Sequence, residues 1–254
     1  MDPRPDGAGL DRTSRSFADL HCHSTASFDS LNSPGTLVKT ARRFGLTHLA
    51  VTDHEKIDGA LRARDLAAVE VDGVPLTIIV GEEIRTADGD MLGLFLERAV
   101  PPGRSATETA AEIHAQGGLV GLPHPFDRFR GSSGKMAAAE ALAELVREVD
   151  FIEAHNARAV GGANAQAAEL AVAHGLPRVA SSDAHSPLEI GVAYTVLNGS
   201  FSTADELRAL LPTADIVTGR ASYYVRLLTP LAKIANGLRG NRRIRPEAAG
   251  SEPS

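Results

Sequence analysis

Short apolar runs alternate with helix-like segments along most of the chain. Residues 76–80 and 119–122 are apolar runs of strand length. A helix-like segment starts at Ser33-Pro34 and ends at Gly45, residues that favour a helix N-cap, first turn and C-cap. Apolar strands joined through helices predict a parallel sheet covered on both faces. Six or more such units within 254 residues favour a closed α/β barrel over an open sheet.

Histidines and acidic residues stand at the C-terminal ends of most predicted strands. Barrel active sites lie at that face and take residues from several strands. These strand-end residues are His21, His23, Asp53, His54, Glu82, Glu83, His124, Glu153, His155, Asp183 and His185. The other histidines, at 48, 114 and 174, are interpreted as structural or surface residues. Crowded acids and imidazoles would be costly without cations between them, so the pattern predicts a metal site at this end of the barrel.

Strand alternation refines this prediction. The first strand is expected to end at His23, so His21 and His23 point to one face and Cys22 points away, as a small core residue. Only one of Glu82 and Glu83 can point inward on a regular strand. Asp53 is expected to cap a helix or hold a loop in preference to binding metal.

The composition of the chain limits the partners and the structural classes that are possible for it. A formal charge of −6 argues against wholesale capture of nucleic acid but is compatible with a local basic groove. One cysteine excludes an intrachain disulfide, and no apolar run reaches eighteen residues. We expect a disordered leader at 1–16, a barrel domain at 17–225, and a helix followed by a disordered basic tail at 226–254. A cytoplasmic enzyme or binding protein without a membrane span is the expectation.

Five motifs together resemble the PHP (polymerase and histidinol phosphatase) family. They are Asp19-Leu20-His21-Cys22-His23-Ser24, Thr52-Asp53-His54, Gly81-Glu82-Glu83-Ile84, Pro123-His124-Pro125 and Ser182-Asp183-Ala184-His185. The resemblance covers about residues 17 to 225. It implies a distorted (β/α)7 barrel with a metal site at the C-terminal ends of the strands, and two or three divalent ions, commonly manganese, iron or zinc. Family members hydrolyse phosphate esters.

The resemblance also implies a ligand set, with Glu83 as the inward-facing carboxylate that bridges two metals. The implied ligands are His21, His23, Asp29, His54, Glu83, Asp90, His124, Asp183 and His185. Asp90 departs from the family pattern, because many relatives have a histidine there. An aspartate is a harder ligand and would favour manganese or magnesium.

The predicted chemistry is attack by metal-activated water on phosphorus. Asp53 or His185 is a candidate to protonate the leaving group. Arginine matches phosphate geometry, so Arg128, Arg130 and Arg158, in loops after strand ends, are candidates for substrate binding. Asn156 is a candidate for substrate contact or for a structural role. Together with Glu153 and His155, it could also orient ligands from outside the first coordination sphere.

Several functions remain open at this stage. The main one is hydrolysis of a small phosphate ester, such as a nucleotide or a histidinol-phosphate-like compound. The alternatives are a phosphodiesterase or 5′–3′ exonuclease acting on short oligonucleotides, and a non-catalytic, metal-stabilised binding module. A metal-dependent amidohydrolase is disfavoured, because such barrels usually carry a strand-end lysine and this chain has none at any predicted strand end.

Overall fold

The structure is a computed structural model that describes residues 15–69, 75–126, 135–222, 224–225, 228–241 and 244. Most of the expected leader and of the basic tail lies outside these residues, as do Arg128 and Arg130. The strands are β1 Ser16–Asp19, β2 His48–His54, β3 Thr77–Arg85, β4 Asp90–Leu94, β5 Leu119–Leu122, β6 Phe151–Asn156, β7 Arg178–Ser181, β8 Tyr194–Leu197 and β9 Asp215–Val217. The helices are α1 Pro34–Phe44, α2 Asp58–Val69, α3 Ala106–Ala115, α4 Lys135–Glu148, α5 Ala163–His174, α6 Ala204–Leu210 and α7 Leu228–Leu238.

The described strands form one sheet in the order β7-β6-β5-β4-β3-β2-β1-β8-β9. Thr195 of β8 exchanges two hydrogen bonds of 3.0 Å with the backbone of Ala180 on β7, which brings the ends of the sheet together. The sheet is therefore a nearly closed barrel, and the predicted fold class is confirmed.

The expectation of a wholly parallel sheet was wrong in part. Strands β1–β3 and β5–β7 run parallel, whereas β4 is antiparallel to both neighbours and β8 is antiparallel to β1 and β9. Only residues 86–89 separate β3 from β4. That link is too short for a parallel crossover, which needs a dozen or more residues.

Local signals in the sequence explain the helix boundaries. The Ser33 side chain accepts a hydrogen bond from the Thr36 amide, Pro34 occupies the first position of α1, and Gly45 ends the helix in the left-handed conformation at φ 75°. Helix α3 starts with a capping box between Ser105 and Glu108.

Apolar side chains fill the interior of the barrel near the N-terminal ends of the parallel strands, and the other end of the barrel is polar. Along β2, His48 and Ala50 face one side, while Leu49 and Val51 belong to the core between sheet and helices. Phe201 closes the floor, because its ring stacks on His48 at 3.8 Å and its carbonyl oxygen lies 2.8 Å from His48 Nε2. Phe201 and His48 thus cover the end of the barrel at which β2 begins.

Helix α7 packs on the loop that follows β1. The buried Asn236 side chain donates hydrogen bonds to the backbone oxygens of Ser27 and Ser30, at 3.0 and 2.8 Å. Asn241 donates to the backbone oxygens of Thr25 and Ala26. This part of the expected tail therefore holds the loop.

Among the described helices, none combines the length and the apolar character needed to cross a membrane.

Candidate metal centre

The polar end of the barrel is organised around Glu83, near the end of β3. Its Oε2 atom lies 3.4 Å from His21 Nε2, 3.3 Å from His23 Nε2 and 3.2 Å from His54 Nδ1. Its Oε1 atom lies 3.1 Å from His124 Nε2. Within the described residues Oε2 makes no hydrogen bond, although the side chain is buried. A buried carboxylate oxygen among imidazole nitrogens suits a bridging ligand between cations.

Two further carboxylates complete the cluster. Asp183 Oδ1 lies 3.3 Å from His23 Nε2 and 3.4 Å from His185 Nδ1. Asp29 bridges His54 Nε2 and His185 Nε2, at 3.5 and 3.6 Å. The buried groups with donor atoms close enough to share an ion are His21, Glu83 and His124; His21, His23 and Asp183; and His23, His54 and His185. The structure thus brings together every predicted ligand except Asp90, and the donor set fits divalent cations.

The buried imidazoles and carboxylates of the cluster shift one another's pKa values. Burial disfavours the charge of His54, but the carboxylates of Glu83 and Asp29 outweigh burial and raise the pKa of His54 to about 9. Burial opposes ionisation of Glu83, yet His54 and His124 hold the pKa of Glu83 well below its usual range. A divalent cation would take the place of the imidazole protons, so metal affinity should increase with pH.

Two of the clustered residues have strained backbones. His124 has φ 27° and Asp183 has φ 51°, in the left-handed region that non-glycine residues rarely adopt. Such strain costs about 1–3 kcal/mol at each residue and concentrates at functional sites. A hydrogen bond holds each of these backbone conformations. The His124 amide donates to Glu153 Oε2 at 2.8 Å, and the Asp183 amide donates to the His21 carbonyl at 2.9 Å.

Glu153 and Asn156, both on β6, orient His21 and Asp183 through hydrogen bonds. Glu153 Oε1 lies 3.1 Å from His21 Nδ1, which leaves His21 Nε2 to face Glu83. The Asn156 amide donates to Glu153 Oε2 at 2.9 Å and to Asp183 Oδ2 at 3.1 Å. Asn156 is buried and its amide is used by these carboxylates, so the geometry supports its structural role and not the substrate contact predicted for it.

Arg158 was predicted to bind substrate at the barrel mouth. The structure instead places it in a buried ion pair with Glu189. The residue is buried, and its guanidinium lies 3.2 Å from Glu189 Oε1 and donates to Thr229 Oγ1 at 2.9 Å. Glu189 Oε2 accepts hydrogen bonds from the His185 amide and the Ser186 hydroxyl. Arg158 therefore fixes the His185 turn. Sequence reasoning missed Glu189, although the spacing Ser186-x-x-Glu189 is a signal for such a turn.

Asp53 holds a loop, and the predicted catalytic role finds no support. Its carboxylate accepts hydrogen bonds from the amides and hydroxyls of Ser24 and Ser27. It lies on the opposite face of β2 from His54, and burial raises its pKa. A side chain at Gly59 would meet Asp53 and Ser24 at 2.1 Å, so glycine permits the close approach of α2 to this loop.

The remaining predicted residues fall outside the cluster or on its outer side. Asp90 lies 3.7 Å from Arg85 and is in none of the three donor groups of the described residues. His155 follows a bulge in β6 and turns its Nε2 to the Gly219 carbonyl at 2.7 Å. As predicted, Glu82 faces away, where it accepts a hydrogen bond from the Val100 amide. Cys22 also points away, with its thiol directed at the Ala50 carbonyl.

Two family profiles match the chain, and together they cover the clustered residues. The profile of the PHP domain matches residues 19–154, and the profile of a PHP-associated domain matches residues 161–212. An uncharacterized protein of Methanocaldococcus jannaschii is 34% identical over 178 residues, or 69% of this chain and 68% of that protein. The error-prone DNA polymerase of Mycobacterium tuberculosis is 36% identical over 141 residues, which are 52% of this chain and only 13% of the polymerase.

Solved structures agree in fold. A two-domain protein of Bacteroides vulgatus, described as containing a predicted PHP-like metal-dependent phosphoesterase, superposes with a TM-score of 0.66 at 19% identity. The match covers 81% of this chain and 65% of that protein. Endonuclease Q of Pyrococcus furiosus superposes with a TM-score of 0.55 at 18% identity, over 80% of this chain and 57% of the nuclease.

Proposed function

We propose that this chain, which belongs to the PHP family, is a hydrolase that cleaves a small phosphate ester, such as a nucleotide, with metal-activated water. The observation that carries the proposal is the buried Glu83 carboxylate, placed among the imidazoles of His21, His23, His54 and His124. Two or three divalent ions fit the donor set, and manganese, iron and zinc all match its nitrogen and oxygen ligands.

Each residue has a defined part in this proposal. The ligands would be His21, His23, Asp29, His54, Glu83, His124, Asp183 and His185. Bound divalent cations supply Lewis acidity and lower the pKa of a water to near neutrality. His185 Nδ1 lies 2.8 Å from the Asp183 carbonyl, which accepts its hydrogen bond and leaves the Nε2 lone pair facing Asp29. That tautomer supports a ligand role for His185 over the role of proton donor.

A phosphodiesterase acting on oligonucleotides is the second candidate. Two observations favour it: a solved neighbour is an endonuclease Q complex with a 27-mer duplex that carries an abasic lesion, and error-prone DNA polymerases share part of the sequence. A non-catalytic module fits less well, because the structure gathers all the predicted ligands except Asp90.

The proposal is tested with the metal-reconstituted full chain and a panel of histidinol phosphate, mononucleotides and a short RNA. His21→Ala should abolish hydrolysis, whereas His114→Ala, at an exposed histidine paired with Asp150, should leave it unchanged. Phosphate release from one monoester supports the small-ester function. Stepwise release of nucleotides from RNA supports the exonuclease. No turnover of any substrate with metal bound would overturn both.

A further inference from the structure

Helix α7 turns a polar side chain inward and its apolar side outward. On the inner side, Ala232 and Asn236 are buried, and Asn236 donates the two hydrogen bonds to the loop after β1. On the outer side, Leu231, Ile234 and Leu238 are 58%, 64% and 86% exposed. Their spacing places them on one face of the helix, where they form an apolar stripe, called here the α7 stripe. A surface helix normally buries such a stripe, so its exposure indicates a binding surface.

The region around the α7 stripe is strongly basic. Of the 26 basic residues of the chain, seven lie between 216 and 246, and all 32 acidic residues lie elsewhere. Lys233 lies on α7 and Arg239 directly after it, and both are exposed. Lys233 Nζ lies 5.6 Å from the centre of the Phe28 ring, and Arg239 donates to Asn236 Oδ1 at 3.3 Å.

These contacts leave the positive charge of Lys233 and Arg239 without a neutralising carboxylate. Among the residues that the structure describes, neither side chain lies within ion-pair distance of an aspartate or glutamate. The exposed apolar stripe and an excess of positive charge therefore occupy the same part of the surface.

We propose that the α7 stripe and the cations beside it bind the surface of a membrane that contains anionic lipids. Such a surface supplies both complementary chemistries, because its headgroups carry negative charge and the acyl chains just beneath them accept apolar side chains. With 11 residues, α7 is too short to span a bilayer, so it would lie in the plane of the interface. This inference does not depend on the proposed hydrolysis.

Charge complementarity separates this partner from two others. A second copy docked symmetrically through the α7 stripe would bring two identical basic regions together, and like charges at an interface are unfavourable. A nucleic acid would neutralise the cations through its phosphates, but those contacts would leave the apolar stripe exposed to water. Anionic lipid is the partner that satisfies both the charge and the apolar side chains.

Cosedimentation of the metal-loaded full chain with lipid vesicles tests the proposal and needs no turnover. One set of vesicles is phosphatidylcholine, and the other is an equal mixture of phosphatidylcholine and phosphatidylglycerol. The wild type should bind the mixed vesicles at least about tenfold more tightly than the neutral ones. Ile234→Gln/Leu238→Gln should weaken binding to the mixed vesicles by at least about tenfold, because two apolar side chains no longer leave water. The matched control Val69→Gln/Val172→Gln, at exposed positions of α2 and α5, should bind as wild type.

A charge variant tests the electrostatic part. Lys233→Gln/Arg239→Gln should weaken binding to the mixed vesicles by about tenfold. The matched control is Arg64→Gln/Arg147→Gln, in which each exposed arginine pairs with a carboxylate, and it should bind as wild type.

The proposal fails if the wild type does not sediment with the mixed vesicles, or if Ile234→Gln/Leu238→Gln sediments equally well. Light scattering and a mobility shift with duplex DNA then identify the true partner. A dimer that this variant converts to a monomer would assign the α7 stripe to a second copy, and a DNA shift that Lys233→Gln/Arg239→Gln abolishes would assign the cations to nucleic acid. Circular dichroism checks folding, and Leu231→Gln replaces the apolar double variant if that variant misfolds.

Discussion

Replacing Arg158 with leucine should destabilise the chain strongly, because it leaves a buried carboxylate without its cation. Glu189 is fully buried and, among the described residues, would keep only the hydrogen bonds from the His185 amide and the Ser186 hydroxyl. Breaking a buried ion pair on one side costs about 3–5 kcal/mol. At about 2–4 °C per kcal/mol for a chain of this size, the melting temperature should fall by about 6–20 °C.

Urea denaturation followed by circular dichroism measures the effect, since the chain has no tryptophan for fluorescence. A chelator in all samples removes any contribution from bound metal. The double variant Arg158→Leu/Glu189→Gln removes both charges and should recover at least about 2 kcal/mol relative to the sum of the single changes.

A loss below about 1 kcal/mol in Arg158→Leu, or additive single changes, would refute the buried pair. Either result would support the role first predicted for Arg158, that of a phosphate-binding arginine at the barrel mouth. A rise in KM without loss of stability would point the same way.

Three further predictions concern the scaffold. Gly121→Ala should cost about 1–3 kcal/mol in urea, because the new methyl group would lie 2.3 Å from an aromatic ring inside the barrel. Asn236→Ala should cost about 1–3 kcal/mol in the same assay, since it removes the donor to two loop carbonyls. Burial lowers the pKa of His48 below 6.5. The unfolded chain is therefore protonated first, and stability should fall as pH drops below about 6.5. His48→Gln should reduce that loss when stability is compared at pH 5 and pH 7.

Strand alternation explains why much of the cluster could be predicted. The prediction that the first strand ends at His23 was wrong, because β1 ends at Asp19. His21 and His23 nevertheless lie side by side, with 3.1 Å between their Nε2 atoms. On β3, the period of two correctly separates Glu83 from Glu82. The same period separates His54 from Asp53. These placements depend only on local geometry and on the convergence of strand ends, both of which the order of residues determines.

The errors concern contacts between residues far apart in the chain. Arg158 meets Glu189 and Thr229, and no local pattern distinguishes such an arginine from one that faces a phosphate. A bulge in β6 shifts the register at His155 by one residue, so that its side chain contacts the Gly219 carbonyl outside the cluster. The expected parallel sheet did not allow for β4, whose short connection to β3 forms an antiparallel hairpin.

The metal content of the purified chain tests whether the cluster around Glu83 is a metal centre. After dialysis against manganese and removal of loosely bound ions, elemental analysis of the wild type should find two or three equivalents per chain. Glu83→Gln should hold at least one equivalent fewer, because the carboxylate that lies among four imidazoles is lost. A wild type that retains no metal, or a variant that retains the same amount, would contradict the assignment of this cluster as a metal centre.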